Sequence, residues 1–241
     1  MKTKITMLLA LLVLVSLSVF VSAYFAPSYD ESTNKITYNI QRAGWYLVPL
    51  GFNLDGCQRE MIGENEWRNT GLVKAGWVWS PTLKKYLGGK DFNRFEGTQA
   101  ELQQFEDDRN SKYLYAAPKL GGAWVYIAGE CEIGDYLGAG SLDDPALREA
   151  FSQYRLAKGW NFFTITPSYL GKSLNEIKGN CEIVRMAEWD ADSQSWITSG
   201  WEEELDGPIT NVGKVLVIKV SETCNLGLES SGSGQPPALP E

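Results

Sequence analysis

Several short segments of this chain have hydrophobic patterns typical of β-strands, and residues 35–40 alternate polar and apolar side chains with the two-residue period of a strand. Residues 215–220, Val-Leu-Val-Ile-Lys-Val, are the strongest strand signal. Other segments with strand character are 35–40, 44–50, 72–79, 113–115, 124–127, 160–165 and 181–189. We expect 86–87 and 196–197 to return as hairpin partners of the strands that precede them.

Helical patterns are few and short. Thr98 and Glu101 form a capping-box pattern, which predicts one amphipathic helix inside a longer insertion, 88–110. Asp144-Pro145 is typical of a helix start, and 173–178 predicts one or two helical turns before Gly179. The chain is therefore predicted to be mainly β, as small barrel-like or sandwich-like domains with a few short helices.

The same order of landmarks occurs twice, which predicts a tandem duplication. The paired landmarks are Gly44-Trp45 and Gly159-Trp160, then Trp79–Tyr86 and Trp189–Trp196 with equal spacing, then an apolar strand followed by Cys131 or Cys224. The predicted organisation is a signal peptide at 1–23, β module 1 at 24–137, a linker helix at 138–156, β module 2 at 157–227 and a disordered tail at 228–241.

The N-terminus predicts export. Lys2 and Lys4 precede an apolar run, 5–21, and the small residues that end at Ala23 form a cleavage site. The alternative is an uncleaved membrane anchor, because the apolar run is about long enough to span a bilayer. Both interpretations place the rest of the chain outside the cell or on the outer face of its envelope.

Composition excludes several function classes. The net charge of -8 disfavours a nucleic-acid partner, which needs basic residues against its phosphates. The absence of histidine removes the commonest general base and a common zinc ligand. We therefore expect no cofactor, no metal ion and no catalytic residue, and contact with a membrane only if the N-terminal segment is retained.

The four cysteines of an exported chain predict disulfide bonds. Three pairings are possible, and the duplication favours Cys57–Cys131 and Cys181–Cys224, one bridge in each copy. Four unpaired core thiols are the alternative.

Residues 158–165, Lys-Gly-Trp-Asn-Phe-Phe-Thr-Ile, resemble the Gly-Trp-Asn β-module that recurs in secreted and cell-surface proteins of archaea. The second copy matches the plan of that module from Lys158 to about Gly227. The first copy has Tyr46 where asparagine is usual, and it carries the insertion. The resemblance implies a β-rich fold in a surface or envelope component and implies no activity.

Two patterns suggest chemistry, and both have a simpler interpretation. Asp190, Asp192 and Gln194 alternate as in the start of a calcium loop, but the later glycine and glutamate are missing, which favours a solvated hairpin turn. The acidic runs 106–108 and 202–206 could supply the paired carboxylates of a hydrolase, although such runs are usually solvated.

The nine tryptophans suggest ligand binding as well as packing. Trp45 and Trp160 are expected in the core. The candidate ligand-binding aromatics are Trp77 and Trp79 on one strand face, Tyr113 and Tyr115 on another, and Trp201.

The leading functional hypothesis is a non-enzymatic module pair for surface assembly, adhesion or binding of an envelope protein or other extracellular ligand. A carbohydrate-binding protein that uses exposed aromatics is the alternative, and a carboxylate-based hydrolase is the second alternative.

Overall fold

The structure is a computed structural model that describes residues 26–63, 66–69, 71–92, 94–137, 145–198 and 205–227. The predicted signal peptide at 1–23, the predicted joint at 138–144, Trp201, the acidic residues 202–204 and the predicted disordered tail at 228–241 lie outside these ranges. Within them, the chain is mainly β with few short helices, as the sequence predicts. No helix in these ranges is long and apolar enough to cross a membrane.

Fifteen strands are described. In chain order they are β1 (Ser28–Asp30), β2 (Lys35–Ile40), β3 (Gly44–Pro49), β4 (Arg59–Gly63), β5 (Glu66–Asn69), β6 (Val73–Ser80), β7 (Lys85–Gly89), β8 (Gly122–Ile127), β9 (Cys131–Tyr136), β10 (Arg155–Leu156), β11 (Gly159–Thr164), β12 (Ile183–Asp190), β13 (Ser195–Ile197), β14 (Val215–Val220) and β15 (Cys224–Asn225).

The described helices are α1 (Asp55–Gln58), α2 (Gln99–Asn110), α3 (Pro145–Ser152) and α4 (Leu174–Ile177), with 3-10 turns at Leu114–Ala116 and Pro167–Tyr169. The predicted capping box starts α2, since Thr98 accepts from the backbone N–H of Glu101 and Glu101 accepts from that of Thr98. Ser173 and Glu176 form the same box at α4, which the sequence analysis did not identify.

Two four-stranded antiparallel sheets dominate the fold, and they have the same strand order. The first sheet runs β3-β8-β6-β7 and the second runs β11-β14-β12-β13. Each has a bulge at the same place, at Lys74 opposite 126–127 and at Val184 opposite 219–220. Each outer hairpin ends with a left-handed residue, Lys84 (φ 53°) in the first sheet and Gln194 (φ 52°) in the second.

Smaller strand pairs flank both sheets in equivalent positions. In the first half β2 pairs with β9, so that Ile40 lies opposite Cys131. In the second half β10 pairs with β15, so that Leu156 lies opposite Cys224. The strand β1 extends the first pair, whereas β4 and β5 form a separate hairpin.

Both predicted disulfides are present. Cys57 of α1 bonds Cys131 at the start of β9, with a Cα–Cα distance of 5.2 Å. Cys181, between α4 and β12, bonds Cys224 at the start of β15, with a Cα–Cα distance of 5.1 Å. Each bridge therefore joins the region around a short helix to the strand that follows the last strand of its sheet.

The core has three layers, because each sheet buries both of its faces. One layer covers the outer face of the first sheet, where Tyr46 and Ile127 pack with Ile36 of β2. Another covers the outer face of the second sheet, where Phe163 packs with Leu174 of α4. The middle layer lies between the sheets, and it contains Leu47, Trp124, Phe162, Ala187, Val215 and Val217.

Two predictions about local structure were wrong. Residues 113–115 do not form a strand, because Leu114–Ala116 is a 3-10 turn. The acidic run 106–108 is not wholly solvated, because Asp108 is buried at 4% exposure and accepts hydrogen bonds from Thr82, Tyr115 and Gln104.

The predicted linker helix, α3, packs against the second half of the chain. Phe151 of α3 lies 5.2 Å from Tyr169, between ring centroids, and packs against the core layer of the second sheet.

Candidate functional site

The two sheets face each other with their tryptophan-rich sides. Alternation along each strand places one set of side chains toward the outer core layers and the other toward the opposite sheet. The inward set includes Trp45, Trp77, Trp79 and Trp124 from the first sheet, and Trp160, Phe162, Trp189 and Val217 from the second. Full burial of an apolar side chain stabilises a fold by about 1.5–3 kcal/mol, and Phe162 and Val217 are buried in this way.

Two reciprocal hydrogen bonds join the sheets. The indole Nε1 of Trp79 donates to the backbone carbonyl of Trp160 at 2.9 Å. The indole Nε1 of Trp189 donates to the backbone carbonyl of Trp45, also at 2.9 Å. The acceptors lie on the edge strands β3 and β11, so each indole covers part of an otherwise open sheet edge.

Residues at matching positions of the two sheets therefore lie at the contact between the sheets. Trp79 faces Tyr86 across its hairpin, and Trp189 faces Trp196 in the same way. Gly122 and Val215 both lie opposite the last residue of the edge strand in their sheets. A Cβ on Gly122 would lie 2.4 Å from Cγ1 of Val215, which shows how closely the sheets approach there.

Gln194 makes the contact asymmetric. Its Oε1 accepts from the backbone N–H of Trp45 at 2.8 Å, and its Nε2 donates to the carbonyl of Trp45 at 3.0 Å. Lys84 occupies the matching hairpin position of the first sheet. The β3 edge is therefore held by a glutamine as well as by an indole.

The packed sheets leave an opening lined by aromatic rings, here called the aromatic groove. One part encloses about 460 Å³ and is lined by Trp45, Trp77, Tyr86, Trp124, Trp189 and Trp196. The adjoining part encloses about 480 Å³ and includes Trp79, Trp160, Phe162, Arg185 and Thr198 in its lining. Tyr86 and Trp196 belong to both parts, and their side chains are the most exposed of the groove aromatics, at 43% each.

The rings of the groove are held edge to face. The ring of Trp124 lies 5.0 Å from that of Trp189 and 5.6 Å from that of Trp196, with interplanar angles of 85° and 88°. Trp79 and Tyr86 pack similarly, with centroids 5.0 Å apart. Such pairs are favourable beyond the area that they bury, so the lining is preorganised. Burial raises the pKa of the Tyr86 phenol, which is therefore neutral and able to donate at physiological pH.

One end of the groove is cationic. Arg185 lines it, and Lys219 lies beside Arg185 on the adjacent strand. The ammonium of Lys219 lies 5.9 Å from the centroid of Trp160, and both cationic residues are exposed. This end therefore favours anionic or strongly hydrogen-bonding ligand groups, although the whole chain carries a net charge of -8.

The structure separates the predicted ligand aromatics. Trp77 and Trp79 line the groove. Tyr115 is buried at 1% exposure, where its hydroxyl donates to Asp108, and Tyr113 packs beneath Arg155 with 4.7 Å from the guanidinium carbon to the ring centroid. These two tyrosines therefore form no face for a ligand, and Trp201 lies outside the described residues.

Sequence reasoning missed most of the groove. Tyr86 and Trp196 are its most exposed rings, and Trp124 and Trp189 form its floor. The equal spacing of Trp79–Tyr86 and Trp189–Trp196 is the sequence signal for three of these rings, and it indicates duplication rather than a shared groove. Trp45 and Trp160, expected in the core, are half-buried at the rim.

The polar groups of the candidate calcium turn bond to the turn itself and to the facing sheet. Asp190 accepts from Ser193 and from the backbone N–H of Asp192, and the Ser193 hydroxyl in particular holds the pKa of Asp190 below its usual value. Gln194 turns away toward Trp45. No group of three or more His, Cys, Asp or Glu side chains suited to a metal occurs in the ranges given above.

Another carboxylate beside a cavity, that of Glu188, forms an ion pair. Glu188 of β12 forms an ion pair with Lys214 beside a cavity of about 230 Å³. Glu188 is 7% exposed, so the pair is largely sheltered from solvent.

Comparison of the chain with protein families, with curated proteins and with solved structures finds no match. The geometry of the groove is therefore the basis for a functional assignment.

Proposed function

We propose that this chain is a non-enzymatic binding protein of the cell exterior and that the aromatic groove holds its ligand. A carbohydrate is the ligand class we favour. The observation that carries the proposal is that aromatic side chains from both sheets line one groove, where Tyr86 and Trp196 expose their rings.

The size and lining of the groove support ligand binding. Ligand sites in proteins enclose roughly 300–1,000 Å³ and combine apolar walls with a few polar groups. Both parts of the groove lie in this range, and Arg185, Thr198 and the Tyr86 hydroxyl supply polar groups beside the rings. Indole faces pack well on the C–H faces of sugars, while the polar groups can meet sugar hydroxyls.

The matching topologies support a duplicated origin. Strand order, bulge position and the disulfide-linked flanking strands coincide in the two halves. We infer that two copies of one module dimerised within a single chain and that the groove lies where equivalent faces meet. The two intramolecular disulfides support an oxidising, extracellular compartment.

Glycan-array binding by the exported chain tests the ligand class. Trp196→Ala and Tyr86→Ala should each weaken the strongest array signals at least tenfold, because each removes an exposed ring. Tyr136→Ala is the matched control, since Tyr136 is 62% exposed on β9 and does not line the groove. Thermal unfolding of all three variants separates lost binding from lost folding.

If the exported chain binds no glycan on the array, and the variant Pro236→Ala/Pro237→Ala/Pro240→Ala binds none either, the carbohydrate proposal is wrong. Signals that survive both groove substitutions would place the binding site elsewhere.

A further inference from the structure

We propose that the proline-rich end of this chain, residues 235–241, docks in the aromatic groove of its own molecule and regulates access to it. The sequence there is Gln-Pro-Pro-Ala-Leu-Pro-Glu. The inference shares its site with the proposed function but does not require that the ligand be a carbohydrate.

The sequence of this segment suits an aromatic groove. Pro237 and Pro240 are three residues apart in the sequence. In a polyproline II helix, residues with this spacing lie on one side about 9 Å apart. Extended proline-rich segments of this kind dock in grooves lined by aromatic rings, and their preformed backbone loses little entropy on binding. The aromatic groove offers two adjoining parts, one on each side of Tyr86 and Trp196, to receive two such rings.

The connecting chain is long enough. Gly227 follows Lys219 by eight residues, and Lys219 lies opposite Trp160 of the groove. Glu241 follows Gly227 by fourteen residues. Fourteen extended residues reach about 46 Å, whereas the eight residues from Lys219 to Gly227 span about 29 Å at most, so Glu241 can reach the Lys219 end of the groove. Its Glu-Ser-Ser-Gly-Ser-Gly composition is that of a flexible linker.

The charge of this segment also suits the groove. Glu241 follows Pro240 directly, and the groove ends at the cationic residues Arg185 and Lys219. A segment that enters with its prolines on the rings can therefore place a carboxylate at the basic end.

Docking within one molecule is favoured over docking between molecules. A short flexible linker gives an effective concentration on the order of millimolar, so docking with a Kd of about 0.1 mM or lower would keep the groove mostly occupied. A ligand must then displace the segment, which makes the segment a competitive regulator of the proposed binding site.

A titration with a labelled synthetic peptide of residues 228–241 tests the proposal in the full exported chain. The tail variant Pro236→Ala/Pro237→Ala/Pro240→Ala vacates the groove and should bind the added peptide. The wild-type chain should bind it at least tenfold more weakly, because its own segment competes. A linker variant, Ser230→Ala/Ser231→Ala/Ser233→Ala, should behave as wild type, and a peptide with the three prolines replaced should not bind.

Second substitutions locate the docking site. Trp196→Ala added to the tail variant should abolish peptide binding. Lys219→Glu should weaken it several-fold at low salt, whereas Lys90→Glu, which lies outside the groove lining, should leave it unchanged.

Equal peptide affinity in the wild-type chain and the tail variant, including no binding by either, would overturn the proposal. A wild-type dimer in sedimentation that the tail variant does not form would place the segment in a second copy and overturn docking within one molecule. Glycan arrays with the tail variant separate the two proposals, because a variant that binds the peptide but no glycan retains the docking inference alone.

Discussion

Trp79 donates its indole N–H to the backbone carbonyl of Trp160, and this bond joins the outer hairpin of the first sheet to the edge strand of the second. Trp189 makes the same bond in reverse to Trp45. The aromatic groove therefore lies between two sheets, each of which donates a hydrogen bond to the edge strand of the other. Both halves of the chain position its rings.

Loss of one indole N–H should destabilise the protein unequally at the two sites. Trp79→Phe leaves the Trp160 carbonyl without that donor and should lower the free energy of unfolding by about 1–3 kcal/mol. Trp189→Phe should cost less, because the Trp45 carbonyl also accepts from Gln194. Urea unfolding of both variants measures the difference. In a Gln194→Ala background the cost of Trp189→Phe should rise. A larger cost for Trp189→Phe than for Trp79→Phe in the wild-type background would contradict this account.

Gly122 should be sensitive to a single methyl group. Gly122→Ala would place its Cβ against Val215 and Phe162, and overpacking of this kind should destabilise the protein by about 1–3 kcal/mol. Gly129→Ala is the control, because its Cβ would meet Leu72 at 3.3 Å, where a small adjustment suffices. Chemical denaturation measures both effects.

Val215→Ala should partly rescue Gly122→Ala, since it removes the atom that the new methyl group meets. The double variant would then be more stable than the sum of the two single effects predicts. Strict additivity would show that the close approach of the sheets at Gly122 is not the cause.

Each disulfide should contribute similarly to stability. The bridges close loops with sequence separations of 74 and 43 residues. The loop-entropy relation gives about 4 kcal/mol for each, with the longer loop worth about 0.5 kcal/mol more. Cys57→Ser/Cys131→Ser and Cys181→Ser/Cys224→Ser, compared by denaturant unfolding, test this expectation. Peptide mapping without reductant checks the pairing, and a crossed pairing would contradict the structure.

Loss of the hydroxyl should lower the stability of the protein at one buried tyrosine, Tyr38, and should not lower it at another, Tyr169. The Tyr38 hydroxyl donates to the carbonyl of Gly213 at 2.5 Å, so Tyr38→Phe should destabilise the protein by about 1 kcal/mol or more. The buried Tyr169 hydroxyl has no hydrogen-bond partner among the described residues. Tyr169→Phe keeps the ring packing and should leave stability unchanged or raise it slightly. Thermal and urea unfolding at neutral pH compare the two variants, and a destabilised Tyr169→Phe would indicate a missing partner.

The same tyrosines predict a loss of stability in alkali. Burial raises the pKa of Tyr38 and of Tyr169 above the ordinary tyrosine value of about 10. The native state then retains protons that the unfolded state has lost, so their contribution is complete below about pH 10 and declines as pH rises further. Each such tyrosine steepens the decline by up to about 1.4 kcal/mol per pH unit. Urea unfolding between about pH 8 and 11 should show a shallower decline for Tyr169→Phe than for wild type, and identical slopes would refute this origin.

Local patterns in the sequence predicted most elements of the fold. Alternation predicted β2, apolar runs and β-propensity predicted β3 and β14, and the Thr98–Glu101 pattern predicted α2, because these signals depend on residues close in the chain. The strand prediction for 113–115 was wrong because two tyrosines around a leucine resemble a strand, whereas Leu114–Ala116 forms a 3-10 turn in which the Tyr115 hydroxyl donates to Asp108. Asp108 looked solvated for a related reason, since its donor Thr82 is distant in sequence.

The sequence by itself determined the strand-rich composition and the repeated landmarks, and through them it favoured the pairing of Cys57 with Cys131 and of Cys181 with Cys224, which the structure shows. All of these follow from spacing along the chain. Only the tertiary structure decided that Tyr86 and Trp196 share one groove and that Tyr115 belongs to the core. The physical reason is that strand patterns report only which side chains of one strand share a face. They do not report which distant strand that face packs against, and here the two sheets pack through equivalent faces.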